Sequence, residues 1–216
     1  MKYNLISHHK SGVLVTLHIF KQLCCPHVKF IDFPTWWARP NGNYYNCLKK
    51  KCNVTWNVDG FYSHKKNDTT YVHVIRNPID MIVSGYLYHK KCIEKWTRTT
   101  KLDKTRFPPN FALYEPYCKY LNNVDEKKGL IMEMNRSLFS TSNNMFELLQ
   151  YKDMHHLCIQ DVIKKSGIIF GEKMYIPIFT NHMTNSSTDT RMHDYVKQNF
   201  PHKKYINLCE KQVNIM

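Results

Sequence analysis

The chain has 216 residues, of which 43% are hydrophobic and 13% aromatic, and its formal net charge is +14. This apolar content is enough for an ordinary core and excludes an intrinsically disordered chain. No apolar stretch approaches the roughly 18 residues of a membrane span, and the first residues lack the apolar centre of a signal peptide. The sequence therefore predicts one folded domain over residues 1–216, with no stable membrane insertion.

Short apolar runs alternate with longer segments of helical periodicity, which is typical of a parallel sheet covered by helices. The first strand is predicted at Tyr3–Ile6, and a polar loop from Ser7 to Gly12 separates it from a helical pattern that runs from Val13 to Leu23. Further predicted elements are strands at Val28–Phe33 and Tyr71–Ile75, a helix over Ile79–His89 with Pro78 at its start, and strands at Leu130–Met134 and His156–Ile159.

The loop after the first strand contains the tripeptide Lys10-Ser11-Gly12. Backbone N–H groups at the start of a helix cradle phosphate, and a lysine neutralises its charge. A Walker A loop, G-x-x-x-x-G-K-[ST], places its glycines before the lysine, whereas here the glycine follows Lys10-Ser11 and no glycine lies upstream. Taken alone, the tripeptide is also typical of an ordinary turn.

The segment YVHVIRNPIDMIVSGYLYH contains a strand that ends at Arg76, a proline turn, and Ser84 on the following helix. It resembles the 3'-phosphate-binding motif of the sulfotransferase family. Arginine offers bidentate bonds to phosphate, and the serine hydroxyl adds a neutral donor. The resemblance implies an α/β, three-layer, P-loop NTPase-like fold with a central parallel sheet flanked by helices. The structural alternative is that Arg76 caps a surface turn and Ser84 fills a helix face.

Beside that motif, SHHKSGVLVT resembles the 5'-phosphosulfate loop of the same family. The resemblance implies that Lys10 stabilises the leaving phosphate, with further donors from Ser11 and Gly12. Cytosolic members commonly carry hydroxyl residues where this chain has Val13 and Leu14. The anion would then also be held by backbone N–H groups, including that of Val13, or by Thr16.

A base must take the proton of the acceptor as it attacks sulfur. Ser63-His64 is similar to the histidine segment of cytosolic members, although His64 is closer to Arg76 in sequence than in those members. Asp32, at the end of the second predicted strand, is the rival, since carbohydrate-type members place a carboxylate in that neighbourhood. Glu133, at another predicted strand end, is the third candidate.

The resemblance further implies that Arg191 is a second phosphate contact, although a polar run before a helix is equally an N-terminal cap. The cosubstrate is 3'-phosphoadenosine 5'-phosphosulfate, and no metal is expected. The acceptor is expected to be a carbohydrate or another small molecule. No tryptophan stands where cytosolic members stack adenine, so the adenine platform is unassigned.

Two other functions fit parts of the sequence. A nucleotide or metabolite kinase shares the layered architecture, but the Walker A order and an obvious magnesium-holding Asp are missing. A basic nucleic-acid-binding module fits the net charge, but no recognition motif accompanies it. The eight cysteines form no paired C-x-x-C framework, so reduced thiols are expected. The expected location is the cytoplasm, or the Golgi lumen if an anchored precursor was trimmed.

Overall fold

A computed structural model describes residues 2–13, 27–31, 53–58, 68–159, 161 and 190–210. The chain divides into two compact units: Met1–Arg76 with Asn144–Met174, and Asn77–Asn143 with Tyr175–Met216. The sheet belongs to the first unit, and most of the described helices belong to the second. None of the helices in the described ranges is both long and apolar enough to cross a bilayer.

Within the described residues, the sheet contains five parallel strands in the order β2-β3-β1-β4-β5. The strands are β1 (Lys2–Ser7), β2 (His27–Ile31), β3 (Asn53–Val58), β4 (Thr69–Ile75) and β5 (His155–Cys158). The parallel α/β character predicted from the sequence is thereby confirmed, and four strands lie where the sequence predicts them. The strand β3 was not predicted, although its apolar residues alternate with polar ones in the pattern of a half-buried strand.

The core of the first unit is built around β4. Five consecutive residues, Tyr71–Ile75, are buried, so both faces of this strand are covered, as is usual in a parallel sheet. Ile6 from β1 packs with Tyr71, Leu148 and Met154 in one apolar cluster. Leu148 is the last residue of the short helix Asn143–Leu148.

Within the described residues, the α-helices are α1 (Pro78–His89), α2 (Tyr117–Asn123), α3 (Glu126–Ser137), α4 (Asn143–Leu148) and α5 (Thr190–Asn199). The predicted helix over 79–89 is confirmed as α1. Its first turn is capped by Asn77, whose side chain accepts a hydrogen bond from the Ile79 N–H at 3.0 Å, and Pro78 occupies the first helical position. In the second unit, α1 packs against α3 and α5.

The strand predicted at Leu130–Met134 is wrong, because these residues lie inside α3. Asp125 caps this helix by accepting a hydrogen bond from the Lys128 N–H at 3.0 Å. The buried positions Leu130, Glu133, Met134 and Ser137 recur every three or four residues, which is the helical period. The short apolar run was compatible with either element, and in the structure it packs as a helix against α1.

The expectation of reduced thiols is also wrong. Cys92 and Cys118 form a disulfide that joins the segment after α1 to α2, with their Cα atoms 5.2 Å apart. Cys158 and Cys209 are disulfide-bonded as well. Paired cysteines far apart in sequence carry no local spacing signal, so only their meeting in the fold reveals them.

Candidate functional site

The carboxyl ends of β1 and β4 lie side by side in the sheet. Within the described sheet, the chain continues from β1 to β2 at one edge, and from β4 to β5 at the other edge. Such a reversal in the direction of the connections is the place where open α/β sheets bind ligands. The loop at residues 8–12 follows β1, and Arg76 follows β4.

The loop after β1 closes as a tight turn between His8 and Ser11. The His8 carbonyl accepts hydrogen bonds from the Ser11 N–H at 2.9 Å and from the Ser11 hydroxyl at 2.8 Å. The His8 N–H is 2.9 Å from the hydroxyl oxygen of Ser11. Lys10, inside this turn, has a φ of +66°, which is uncommon for a residue with a side chain. The first helical residue after the turn is Val13.

Gly12 ends the turn with a φ of +92° and lies directly against Ile159. A Cβ atom added at Gly12 would come within 2.6 Å of Ile159 Cγ1, and Ile159 itself is fully buried. Both the dihedral angle and the close approach therefore require glycine here. Two of the predicted residues therefore shape the loop: Ser11 closes the turn, and Gly12 allows its close approach to Ile159.

Arg76 connects the two loops. Its side chain is only 4% exposed, and Nη1 donates a hydrogen bond to the Lys10 carbonyl oxygen at 3.1 Å. The structure thereby brings together two residues, Lys10 and Arg76, that the sequence placed in two separate motifs 66 positions apart. Arg76 thus supports the backbone of the neighbouring loop through this bond.

Three histidines next to this loop form a chain of hydrogen bonds that the sequence analysis missed. His8 Nε2 lies 2.7 Å from His73 Nε2, and His73 Nδ1 lies 2.9 Å from His156 Nδ1. His156 Nε2 is 3.1 Å from the Tyr151 carbonyl oxygen. Burial, together with the charges of His8 and His156, holds the pKa of His73 well below its usual range. The sequence signal that could have indicated this chain is His73, a histidine between apolar residues of a buried strand.

Ser84 and Arg191 belong to the second unit. Ser84 is half-buried on α1 in the second unit. Arg191 lies in the first turn of α5, is 77% exposed, and forms an ion pair with Glu126 at 3.3 Å. Thr16, His64 and Asp32 lie outside the described residues.

Glu133, the third base candidate, belongs to a buried charged cluster in the second unit. Its carboxylate pairs with Arg136, accepts a hydrogen bond from Tyr117 at 2.7 Å and lies 2.9 Å from His89 Nδ1. Burial alone raises the pKa of Glu133, but the charges of Arg136 and His89 outweigh it and lower the pKa. Burial lowers the pKa of Arg136, and the charge of Glu133 more than reverses this. Such a cluster is expected to hold helices together, because its charges are neutralised within it.

Comparison with known proteins leaves the chain without a family assignment. No protein-family model matches it, and no curated protein is significantly similar to it in sequence.

Proposed function

We propose that this chain is a sulfotransferase that moves a sulfonate group from 3'-phosphoadenosine 5'-phosphosulfate to a hydroxyl or amine of a carbohydrate or small molecule. The observation that supports it most is the bond between Arg76 and the Lys10 loop at the carboxyl ends of adjacent parallel strands. The finer fold that goes with this function is the three-layer, P-loop NTPase-like arrangement, in one domain over residues 1–216.

The loop provides the chemistry that an anionic donor requires. Left-handed residues in a tight turn, such as Lys10 and Gly12, are typical of loops that turn successive backbone N–H groups towards an anion. In the proposed reaction the acceptor attacks sulfur, and the bond from sulfur to the 5'-phosphate oxygen breaks. The bonding electron pair stays on that oxygen, where the ammonium of Lys10 stabilises the new charge.

Arg76 and Ser84 are proposed to bind the 3'-phosphate. A guanidinium has five N–H donors, so the bond to the Lys10 carbonyl is compatible with a second, phosphate-directed contact. The same bond would make the position of the Lys10 loop respond to the nucleotide. Val13 and Thr16 complete the proposed 5' contacts, and Arg191 is proposed as a second phosphate contact.

The proposed base is His64 or Asp32, which receives the proton from the acceptor. Glu133 is not proposed, because its carboxylate is buried among Arg136, His89 and Tyr117. The disulfide between Cys92 and Cys118 favours an oxidising compartment, so we propose the Golgi lumen rather than the cytoplasm as the site of action.

Binding of adenosine 3',5'-bisphosphate tests the proposal directly. A ligand that binds only the folded state stabilises it by about 2.7 kcal/mol at a concentration one hundred times its Kd. The bisphosphate should therefore raise the melting temperature far more than adenosine 5'-phosphate, ATP or a short DNA duplex does. Stabilisation by ATP with magnesium would favour the kinase, and stabilisation by DNA alone would favour the nucleic-acid-binding module.

Activity is then measured with isotopically labelled donor and a panel of carbohydrates, phenols and amines, and mass spectrometry detects a product heavier by one sulfonate. Lys10→Ala should reduce turnover far more than it weakens bisphosphate binding, because the leaving oxygen gains its charge in the transition state. Lys152→Ala removes the same charge from an exposed position in the same unit and is the matched control. Equal effects of the two substitutions would refute the proposed role of Lys10.

A further inference from the structure

The hydrogen-bonded chain of histidines has a direction that can be assigned from its end. The Tyr151 carbonyl can only accept, so His156 Nε2 must carry the hydrogen in that bond. A neutral His156 then offers a lone pair at Nδ1, and His73 must donate to it from Nδ1–H. It follows that His73 Nε2 carries the lone pair and that His8 donates from Nε2–H.

All three rings are neutral in this assignment, which agrees with their surroundings. His8 and His73 are fully buried. Burial and the neighbouring histidines lower the pKa of His73, and burial also lowers that of His156, although Asp153 acts in the opposite direction. In this assignment each hydrogen bond of the chain joins one donor nitrogen to one acceptor.

His8 is also the residue on which the loop turn closes. Its carbonyl and its N–H both bond to Ser11, so the position of the His8 backbone sets the shape of the turn that contains Lys10. The His8 ring is attached to β4 through His73, and His73 is attached to β5 through His156. The loop is thus tied through side chains to two strands other than the one it follows.

We propose that His73 and His156 are positioning residues, which hold His8 as its Nε2–H tautomer and thereby hold the phosphate-binding loop in shape. The phosphate-binding role of the loop depends on the function proposed above, whereas the tautomers and the loop geometry do not. Acid should perturb this chain of hydrogen bonds. A proton on His156 gives both of its nitrogens a hydrogen, so the chain must reverse the tautomers of His73 and His8 or lose a bond.

Two substitutions of His156 separate positioning from bulk packing. In His156→Gln the amide oxygen can accept from His73 Nδ1–H and the amide group can donate to the Tyr151 carbonyl, whereas His156→Leu can do neither. His155→Leu is the matched control, because His155 is the exposed neighbour on the same strand.

The experiment records long-range proton–nitrogen NMR spectra of nitrogen-labelled protein at neutral pH, together with the exchange rate of the Ser11 amide. The expected result is the Nδ1–H tautomer for His73 and the Nε2–H tautomer for His8 and His156. His156→Leu should change the His73 tautomer and speed Ser11 exchange by about tenfold, roughly the effect of one lost hydrogen bond. His156→Gln and His155→Leu should keep the wild-type values.

Adenosine 3',5'-bisphosphate affinity, measured on the same proteins, should fall by about tenfold in His156→Leu alone. Finding His73 as the Nε2–H tautomer in the wild type, or unchanged Ser11 exchange in His156→Leu, would overturn the positioning role. If the wild type binds no bisphosphate while the tautomers and exchange rates are as expected, the sulfotransferase proposal fails and the positioning of the loop stands.

Discussion

Gly12→Ala is expected to destabilise the first unit through two separable effects. The φ of +92° at Gly12 is unfavourable for alanine by about 1–2 kcal/mol. In addition, the new Cβ would lie 2.6 Å from Cγ1 and 3.0 Å from Cδ1 of Ile159, and overpacking of this kind costs about 1–3 kcal/mol. The combined loss in the free energy of unfolding is therefore about 2–5 kcal/mol.

A double-mutant cycle with Ile159→Ala separates these effects. Ile159→Ala removes Cγ1 and Cδ1 and leaves Cβ, which lies 3.6 Å from the added atom, at an ordinary contact distance. In that background Gly12→Ala should cost only the dihedral strain of about 1–2 kcal/mol. The free energies are measured by urea unfolding of the four proteins, with the m-value as a check that the transition is unchanged. Equal costs in the two backgrounds would show that Ile159 does not limit the space at Gly12, and a neutral Gly12→Ala would refute the loop conformation.

Arg76→Ala should weaken the binding of adenosine 3',5'-bisphosphate more than that of adenosine 5'-phosphate, by about 1.5–3 kcal/mol in calorimetry. A change in the Lys10 loop would affect the binding of both nucleotides, whereas loss of the 3'-phosphate contact would affect only the bisphosphate. Glu133→Gln should lower the free energy of unfolding by about 3–5 kcal/mol, because the charge of Arg136 stays buried without its carboxylate partner. A variant that keeps normal stability but loses turnover would instead show that Glu133 is catalytic. Urea unfolding should show that the free energy of unfolding falls below about pH 6.5, by up to roughly 1.4 kcal/mol per pH unit for His73. The reason is that His73 binds a proton in the unfolded chain in this pH range, whereas the buried ring binds one only at lower pH. A free energy of unfolding that rises towards acid would contradict the neutral chain of histidines.

Several elements of the fold could be predicted because their signals are local. The β-branched and aromatic run before Arg76 is buried on both faces, and Asn77-Pro78 marks the start of α1 by chemistry that operates within one turn. The segment at Leu130–Met134 could not be assigned in the same way. Its apolar run is short enough for either a strand or a helix, and contact with α1, where Gly85 faces the Glu133 carboxylate, explains the residues that are buried.

A polar loop with Lys10, Ser11 and Gly12 after one strand, and Arg76 at the end of another, could be predicted from local patterns in the sequence. That these strands are neighbours, and that Arg76 bonds to the Lys10 carbonyl, depends on how distant segments meet in the folded sheet. The same holds for His8, His73 and His156, which are separated by 65 and 83 positions in sequence. Local periodicity reports which face of an element is buried, but it carries no information on which distant side chain meets it there. Strand order and register supply that information, and with them the hydrogen bonds that shape the loop.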